Sequence, residues 1–299
     1  MNAPPRERRI GRQSTETLAL LRRALEEDRW THDITTRALL PGPLRGRARV
    51  TAQARGVLSG LAAARRLARM AGVRSATRLH DGDPIRPGTV VLELSGDLRR
   101  ILAIERTLLN LLMHLSGVAT MTATVVRKAR RTRPGFRILA TRKTLPGLRD
   151  LEKAAVVDGG GECHRRDLSE EVLIKGTHLA LVPIEEAIRR ARLRRRVPGR
   201  VQVEVRTLDE ARRAVAAGAR RLLIDNRPPA AVAEIVRKLR RAPGLASLEI
   251  EVSGGIGPET VAAYARTGAD AASLGRLTHS APAIPFHLTR VSAERARPR

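Results

Sequence analysis

The chain has 299 residues, with 57 Lys and Arg against 30 Asp and Glu for a formal net charge of +27, and 42% of its residues are hydrophobic. That length and apolar share suit two compact units or one large α/β unit, and they exclude a disordered polycation. Aromatics at 1% argue against modules that stack bases on exposed rings, and the single cysteine, Cys163, excludes an intramolecular disulfide framework or a cluster of cysteine metal ligands.

In chain order, residues 1–13 read as a loose basic tail without the apolar centre of a signal peptide. No apolar run approaches the roughly 18–20 residues of a membrane span, so a cytoplasmic protein is expected. A helix is predicted from Ser14 or Thr15 to near Asp28, with Leu18, Leu21 and Leu25 on one face. Strand-like runs follow at Arg47–Ala54 and Val90–Leu94, with a helix at about Leu61–Ala71 between them and turns at Asp81-Gly82-Asp83-Pro84 and Arg86-Pro87-Gly88-Thr89. A long helical pattern runs from about Leu98 to Arg131, and its break near Ser116-Gly117 marks an expected domain boundary.

From residue 136 short apolar strands alternate with helices: Phe136–Ala140, Val172–Lys175, Val201–Val205, Arg221–Asp225, Ser247–Val252 and Ala271–Gly275. Thr207-Leu208-Asp209-Glu210 fits a capping box and Gly218 a helix stop. This repetition predicts parallel strands with right-handed crossovers in an α/β barrel. The run Arg189, Arg190, Arg192, Arg194, Arg195 and Arg196 reads as a solvated helix end rather than a nucleic-acid site.

Barrel enzymes carry their chemistry at the C-terminal ends of the strands. Here those ends read Thr141-Arg142-Lys143, Lys175, Glu204, Asp225-Asn226, Ser253-Gly254-Gly255 and Gly275. Polar turns after strands account for the glycines but not for Glu204, which sits between Val203 and Val205 and should face the lumen with Gln202. Arg142, Lys143, His164, Arg165 and Lys175 form a cationic group suited to a small polyanion. Glu204 and Asp225 are hard carboxylates at neighbouring strand ends, suited to Mg²⁺ carrying phosphate. Ser253-Gly254-Gly255 and Gly275 suit a phosphate cradle of backbone N–H groups. Cys163 has no identifiable base partner and reads as a passive neighbour. Only five of the cations are lysines (Lys128, Lys143, Lys153, Lys175 and Lys238), and Lys143 and Lys175 fall among these strand-end residues.

Thr141-Arg142-Lys143-Thr144-Leu145-Pro146-Gly147, Gly159-Gly160-Gly161 with His164-Arg165, and Ile174-Lys175 resemble the quinolinate phosphoribosyltransferases. So do Asp33-Ile34-Thr35-Thr36, Asp81-Gly82-Asp83, Glu105-Arg106-Thr107, Leu115-Ser116-Gly117, Val203-Glu204-Val205, Asp225-Asn226, Ser253-Gly254-Gly255 and Leu277-Thr278-His279-Ser280. The resemblance spans about residues 14 to 290. It implies an N-terminal α/β sandwich domain (14–117, completed by 277–299) and an open α/β barrel (118–276). It also implies a homodimer, or a higher assembly such as a hexamer, in which Arg106 reaches the partner's site. By the same resemblance Arg106, Arg142, His164, Arg165 and Lys175 bind the quinolinate carboxylates. Lys143, Glu204 and Asp225 address phosphoribosyl pyrophosphate and its Mg²⁺, and Ser253, Gly254, Gly255, Gly275 and His279 hold the 5′-phosphate.

The implied activity transfers phosphoribosyl to quinolinate with loss of CO₂, giving nicotinate mononucleotide and pyrophosphate. Lys143, Lys175, Glu204 and Asp225 are its catalytic candidates. Lys153, by contrast, reads as a helix-surface ion pair with Glu152 or Asp150. The family pattern Lys-Asp-Asn-His stands here as Lys175-Gly176-Thr177-His178, a departure beside the cationic group. Three other readings compete. The pyrophosphorylase-like paralogues linked to molybdenum transport lack the lysine found here at Lys175. A nicotinate-using relative would not need a dicarboxylate pocket. A basic nucleic-acid-binding protein would explain the charge but not the strand-end pattern.

Overall fold

The computed structural model describes residues 15–193, 201–245 and 247–293; the basic tail and Arg194, Arg195 and Arg196 lie outside them. The chain forms two compact units, one of residues 1–123, 144–160 and 280–299, the other of residues 124–143 and 161–279.

The first unit is built on an antiparallel sheet. β1 (Arg45–Ala52) turns Ala48, Val50 and Ala52 inward and its arginines outward, the alternation of a strand with one wet face. β2 (Gly56–Val57) pairs with β4 (Pro84–Ile85), and β3 (Arg74–Ala76) with β5 (Val90–Asp97). The larger sheet runs in the order C-terminal strand (Phe286–Ala293), β1, β5, β3. The helix Thr15–Glu27 buries Leu21 and Leu25, and Leu61–Met70 buries Leu61, Ala64, Leu67 and Ala68. These helices on a sheet are the expected α/β sandwich. Asp33 caps the short helix Ile34–Leu39, accepting from the Thr36 N–H at 2.9 Å and from its hydroxyl; that hydroxyl is the main reason the Asp33 carboxyl sits below its ordinary range.

Three expectations fail in this unit. The helix Leu98–Thr132 runs unbroken through Ser116-Gly117. Gly117 is there for clearance rather than as a stop, because a Cβ on it would lie 2.3 Å from the Pro282 carbonyl oxygen. Ser116 is buried, with its hydroxyl donating to the Ser59 carbonyl and accepting from the Ser59 N–H. By length and composition this helix is apolar enough to cross a membrane, contrary to expectation; 56% of its most apolar window is buried within the protein, the pattern of a core helix. Lys153, expected on the surface, is fully buried, as are its neighbours from Leu151 to Val156 on the helix Arg149–Asp158. Glu152 pairs with His114 Nε2 at 2.8 Å and accepts from the Leu145 N–H.

The second unit is a curled parallel sheet. Its strands are β6 (Arg137–Ala140), β7 (Glu162–Cys163), β8 (Leu173–Ile174), β9 (Gln202–Val205), β10 (Arg221–Asp225), β11 (Glu249–Ser253) and β12 (Ala271–Leu274), and they stand in the order β7-β6-β12-β11-β10-β9-β8. That is barrel order opened between the successive strands β7 and β8, which stand at opposite edges. Six strands were expected; β7, only two residues long, is too short to carry a period. The helices Leu208–Ala216 and Pro229–Arg240 supply crossovers between strands. Thr207 forms the predicted capping box, its hydroxyl accepting from the Glu210 N–H at 3.1 Å while Glu210 accepts from the Thr207 N–H.

Candidate active site

Register sets depth in a parallel sheet, because paired residues face the same side. Arg221 is level with Gln202 and Glu249; Leu223 with Glu204 and Glu251; Asp225 with Ser253 and, one strand further, Ser273. The lowest level is an ion-pair floor. Arg221 contacts Glu249 and Glu171 at 3.0 Å each, and Arg137 reaches Glu249 and Glu162.

From the floor upward the lumen stays polar. Gln202 Nε2 donates to Glu251 Oε2 at 2.8 Å, and both side chains are buried. His164 directs Nε2 at Gln202 Oε1 (2.9 Å) and Glu251 Oε2 (3.5 Å), while Nδ1 accepts the Arg165 N–H at 2.9 Å. Both ring nitrogens thus engage the protein, which fixes the orientation of the His164 ring. Gln202 was expected on the lumen face. Glu251 was missed, although its alternation between Ile250 and Val252 signals the same face.

The highest level opens into a cavity of about 320 Å³. Thr141, Arg142 and Lys143 enter it from the end of β6, His164 and Arg165 from the end of β7, and Lys175 from the end of β8. Glu204, Asp225 and Ser253 enter from β9, β10 and β11. Leu173, Leu223 and Ser273 complete the lining and were missed; Leu223 and Ser273 are level with Glu204 and Ser253 and could have been found by register. Arg165 is 8% exposed, and burial followed by the charge of Arg142 pushes its guanidinium below its ordinary range. An anion between these arginines relieves both costs. Lys175 is exposed, its N–H donating to His178 Nδ1 at 2.9 Å.

Opposite the cations, Glu204 Oε1 accepts from the Gly176 N–H at 3.2 Å. Arg206 places one guanidinium nitrogen 3.7 Å from Glu204 Oε1 and 3.5 Å from Asp225 Oδ2. Among the described residues there is no group of three or more His, Cys, Asp or Glu poised around one point, so these two carboxylates are the donors available in the cavity.

Gly254, Gly255, Gly275 and His279 do not line the cavity. Gly275 and His279 instead cluster at Lys143: a Cβ on Gly275 would lie 2.7 Å from Lys143 Cδ and 3.0 Å from His279 Nε2. Thr278 donates its hydroxyl to the Lys143 carbonyl at 2.7 Å. Gly254 has φ +99°, and a Cβ there would meet the Asn226 backbone at 2.7 Å. Asn226, itself left-handed at φ 53°, donates its N–H to the Ser253 carbonyl, so only glycine fits between these turns. Arg106 belongs to the first unit, where it is exposed beside a different hollow of about 500 Å³ with Asp28, Trp30 and Leu102.

Residues 33–116 match the family model for the N-terminal domain of quinolinate phosphoribosyl transferase, and residues 118–289 that for its C-terminal domain. The chain is 40% identical over 270 residues to the probable nicotinate-nucleotide pyrophosphorylase [carboxylating] of Methanothermobacter thermautotrophicus, covering 90% of this chain and 97% of that one. It is 37% identical to the nicotinate-nucleotide pyrophosphorylase [carboxylating] of Mycobacterium leprae, covering 87% and 92%. It is also similar to the structure of the nicotinate-nucleotide pyrophosphorylase from Francisella tularensis, with a TM-score of 0.83, 32% identity and coverage of 93% and 96%.

Proposed function

The chain belongs to the quinolinate phosphoribosyl transferase family, and from that premise we propose how its own residues carry out phosphoribosyl transfer to quinolinate with decarboxylation, a step of NAD biosynthesis. One observation carries the reading: Arg142, Lys143, Arg165 and Lys175 line a single cavity together with Glu204 and Asp225. A dianionic pyridine needs the first set, and a metal-bound diphosphate needs the second.

Arg142 and Arg165 clamp the carboxylates of quinolinate by their planar forks and fix the ring so that its nitrogen faces C1 of the ribose. Arg165 is aimed by its backbone bond to His164, which Gln202 and Glu251 hold from below. Lys143 neutralises charge on the departing pyrophosphate. As the nitrogen lone pair forms the bond to C1, the C1–oxygen bond breaks and pyrophosphate leaves. The quaternised ring then accepts the electron pair released when the adjacent carboxylate departs as CO₂, and Lys175 steadies the resulting carbanion-like carbon before a proton replaces the carboxylate.

Glu204 and Asp225 fit a hard divalent cation: they are oxygen donors on adjacent parallel strands, and one guanidinium nitrogen of Arg206 already stands within 3.7 Å of both. Mg²⁺ held there supplies charge neutralisation of the diphosphate leaving group. Gly275 and His279, packed at Lys143, serve in this reading as the 5′-phosphate end together with the Ser253-Gly254-Gly255 turn. The exposed Arg106 supports a homodimer in which it completes the partner's pyridine site, and the relatives' metabolic role supports a cytoplasmic enzyme. Quinolinate labelled in its 2-carboxylate tests the reaction: label is released as CO₂ only with phosphoribosyl pyrophosphate and Mg²⁺ present, and release without phosphoribosyl pyrophosphate overturns the order of steps.

A further inference from the structure

Arg206 is the residue after β9, and strand alternation carries its side chain to the face of Gln202 and Glu204. Its main chain is fixed, because its N–H donates to Glu210 Oε2 at 2.6 Å within the capping region of the next helix. The side chain is 60% exposed, yet its guanidinium comes to rest against the two carboxylates of the cavity, 3.5 Å from Asp225 and 3.7 Å from Glu204. Elsewhere the chain makes tight forks: Arg189 grips Glu186 at 2.6 and 2.7 Å, and Arg213 grips Glu185 at 2.7 and 3.0 Å. At Arg206 the approach is longer and split over two carboxylates. It neutralises both and commits to neither.

Gly176 shapes this contact from the other side. Its N–H donates to Glu204 Oε1, and a Cβ added there would stand 3.1 Å from that oxygen and 3.8 Å from the Arg206 guanidinium. A side chain at this position would crowd the carboxylate that Arg206 shares.

We propose that Arg206 is an internal counter-cation for the Glu204–Asp225 pair, holding the carboxylates in the ligand-free enzyme and weakening their affinity for free divalent cation, so that metal is retained only when diphosphate brings its own charge. This rests on the reading of Glu204 and Asp225 as the metal-facing carboxylates. The physical cause is simple. A fixed positive charge within 4 Å of both ligands opposes an incoming dication, whereas a metal–diphosphate complex carries net negative charge and gives the guanidinium phosphate oxygens to bind.

The probe is Mn²⁺, titrated into the ligand-free protein and followed by the electron paramagnetic resonance of the free ion, with and without inorganic pyrophosphate. Arg206→Gln binds free Mn²⁺ at least about tenfold more tightly than the wild type, and pyrophosphate strengthens Mn²⁺ binding less in the variant than in the wild type. Equal or weaker binding of free Mn²⁺ by Arg206→Gln overturns the proposal. Glu204→Gln separates the two levels of the argument. If it weakens Mn²⁺–pyrophosphate binding while Arg206→Gln changes nothing, the carboxylate reading stands and the role of Arg206 falls. If Glu204→Gln leaves Mn²⁺–pyrophosphate binding intact, the carboxylate reading falls and takes the proposal with it.

Discussion

Lys175 shows what a single residue contributes when the charge around it is uneven. The cavity holds both cations and carboxylates, which the proposed reading divides between the two substrates. Lys175 is one of five lysines in a chain of 57 cations, and a compact ammonium at the mouth of β8 can approach a developing carbanion that a broad guanidinium cannot. Lys175→Ala is expected to lower kcat by about a hundredfold or more while leaving phosphoribosyl pyrophosphate binding in place. Near-wild-type turnover contradicts the assignment. His164 belongs at the same scale. With Nδ1 accepting from Arg165 and Nε2 facing Gln202 and Glu251, its ring is tied to the residue whose guanidinium the proposed reading uses.

At the scale of the element, most helices and the longer strands can be read from the sequence, while the two-residue β7, the Ser116-Gly117 site and the burial of Lys153 cannot. Val203-Glu204-Val205 can be read directly, because period-two alternation forces Glu204 away from its buried neighbours, and the strand ends collect polar residues for the same geometric reason. Ser116-Gly117 misleads because glycine is a helix stopper on local grounds, and only the tertiary approach of Pro282 explains its presence inside a continuous helix. Gly117→Ala therefore reverses the usual propensity gain. It is expected to cost about 1–3 kcal/mol, seen as a lower denaturant midpoint, and an unchanged or higher midpoint contradicts the close approach. Lys153 misleads for a related reason: the helix that carries it has charged residues at positions that suit surface pairs, yet it is buried on nearly every side. Arg206 gave no signal at all, since one more exposed arginine after a strand cannot be told from dozens of others until its distance to two carboxylates is known.

At the scale of the whole molecule, the charge of +27 invites a nucleic-acid reading. The arginines do other work. Arg189 and Arg190 pair with Glu186 on the solvated helix, Arg213 with Glu185, and Arg137 and Arg221 with the acids of the barrel floor. Exposed pairs of this kind are worth little in stability, but they show positive residues distributed over the fold rather than gathered as a stripe. The cavity itself gathers cations and carboxylates together. The proposed reading assigns that arrangement to a pair of small polyanions and a metal.

The central claim is that this cavity couples transfer to loss of a carboxylate. The direct test is to incubate the protein with phosphoribosyl pyrophosphate and Mg²⁺ and either quinolinate or nicotinate, measuring nicotinate mononucleotide and CO₂ together. The account predicts equal amounts of both products from quinolinate and neither from nicotinate. Nicotinate mononucleotide formed from nicotinate, or no product from quinolinate, would contradict it.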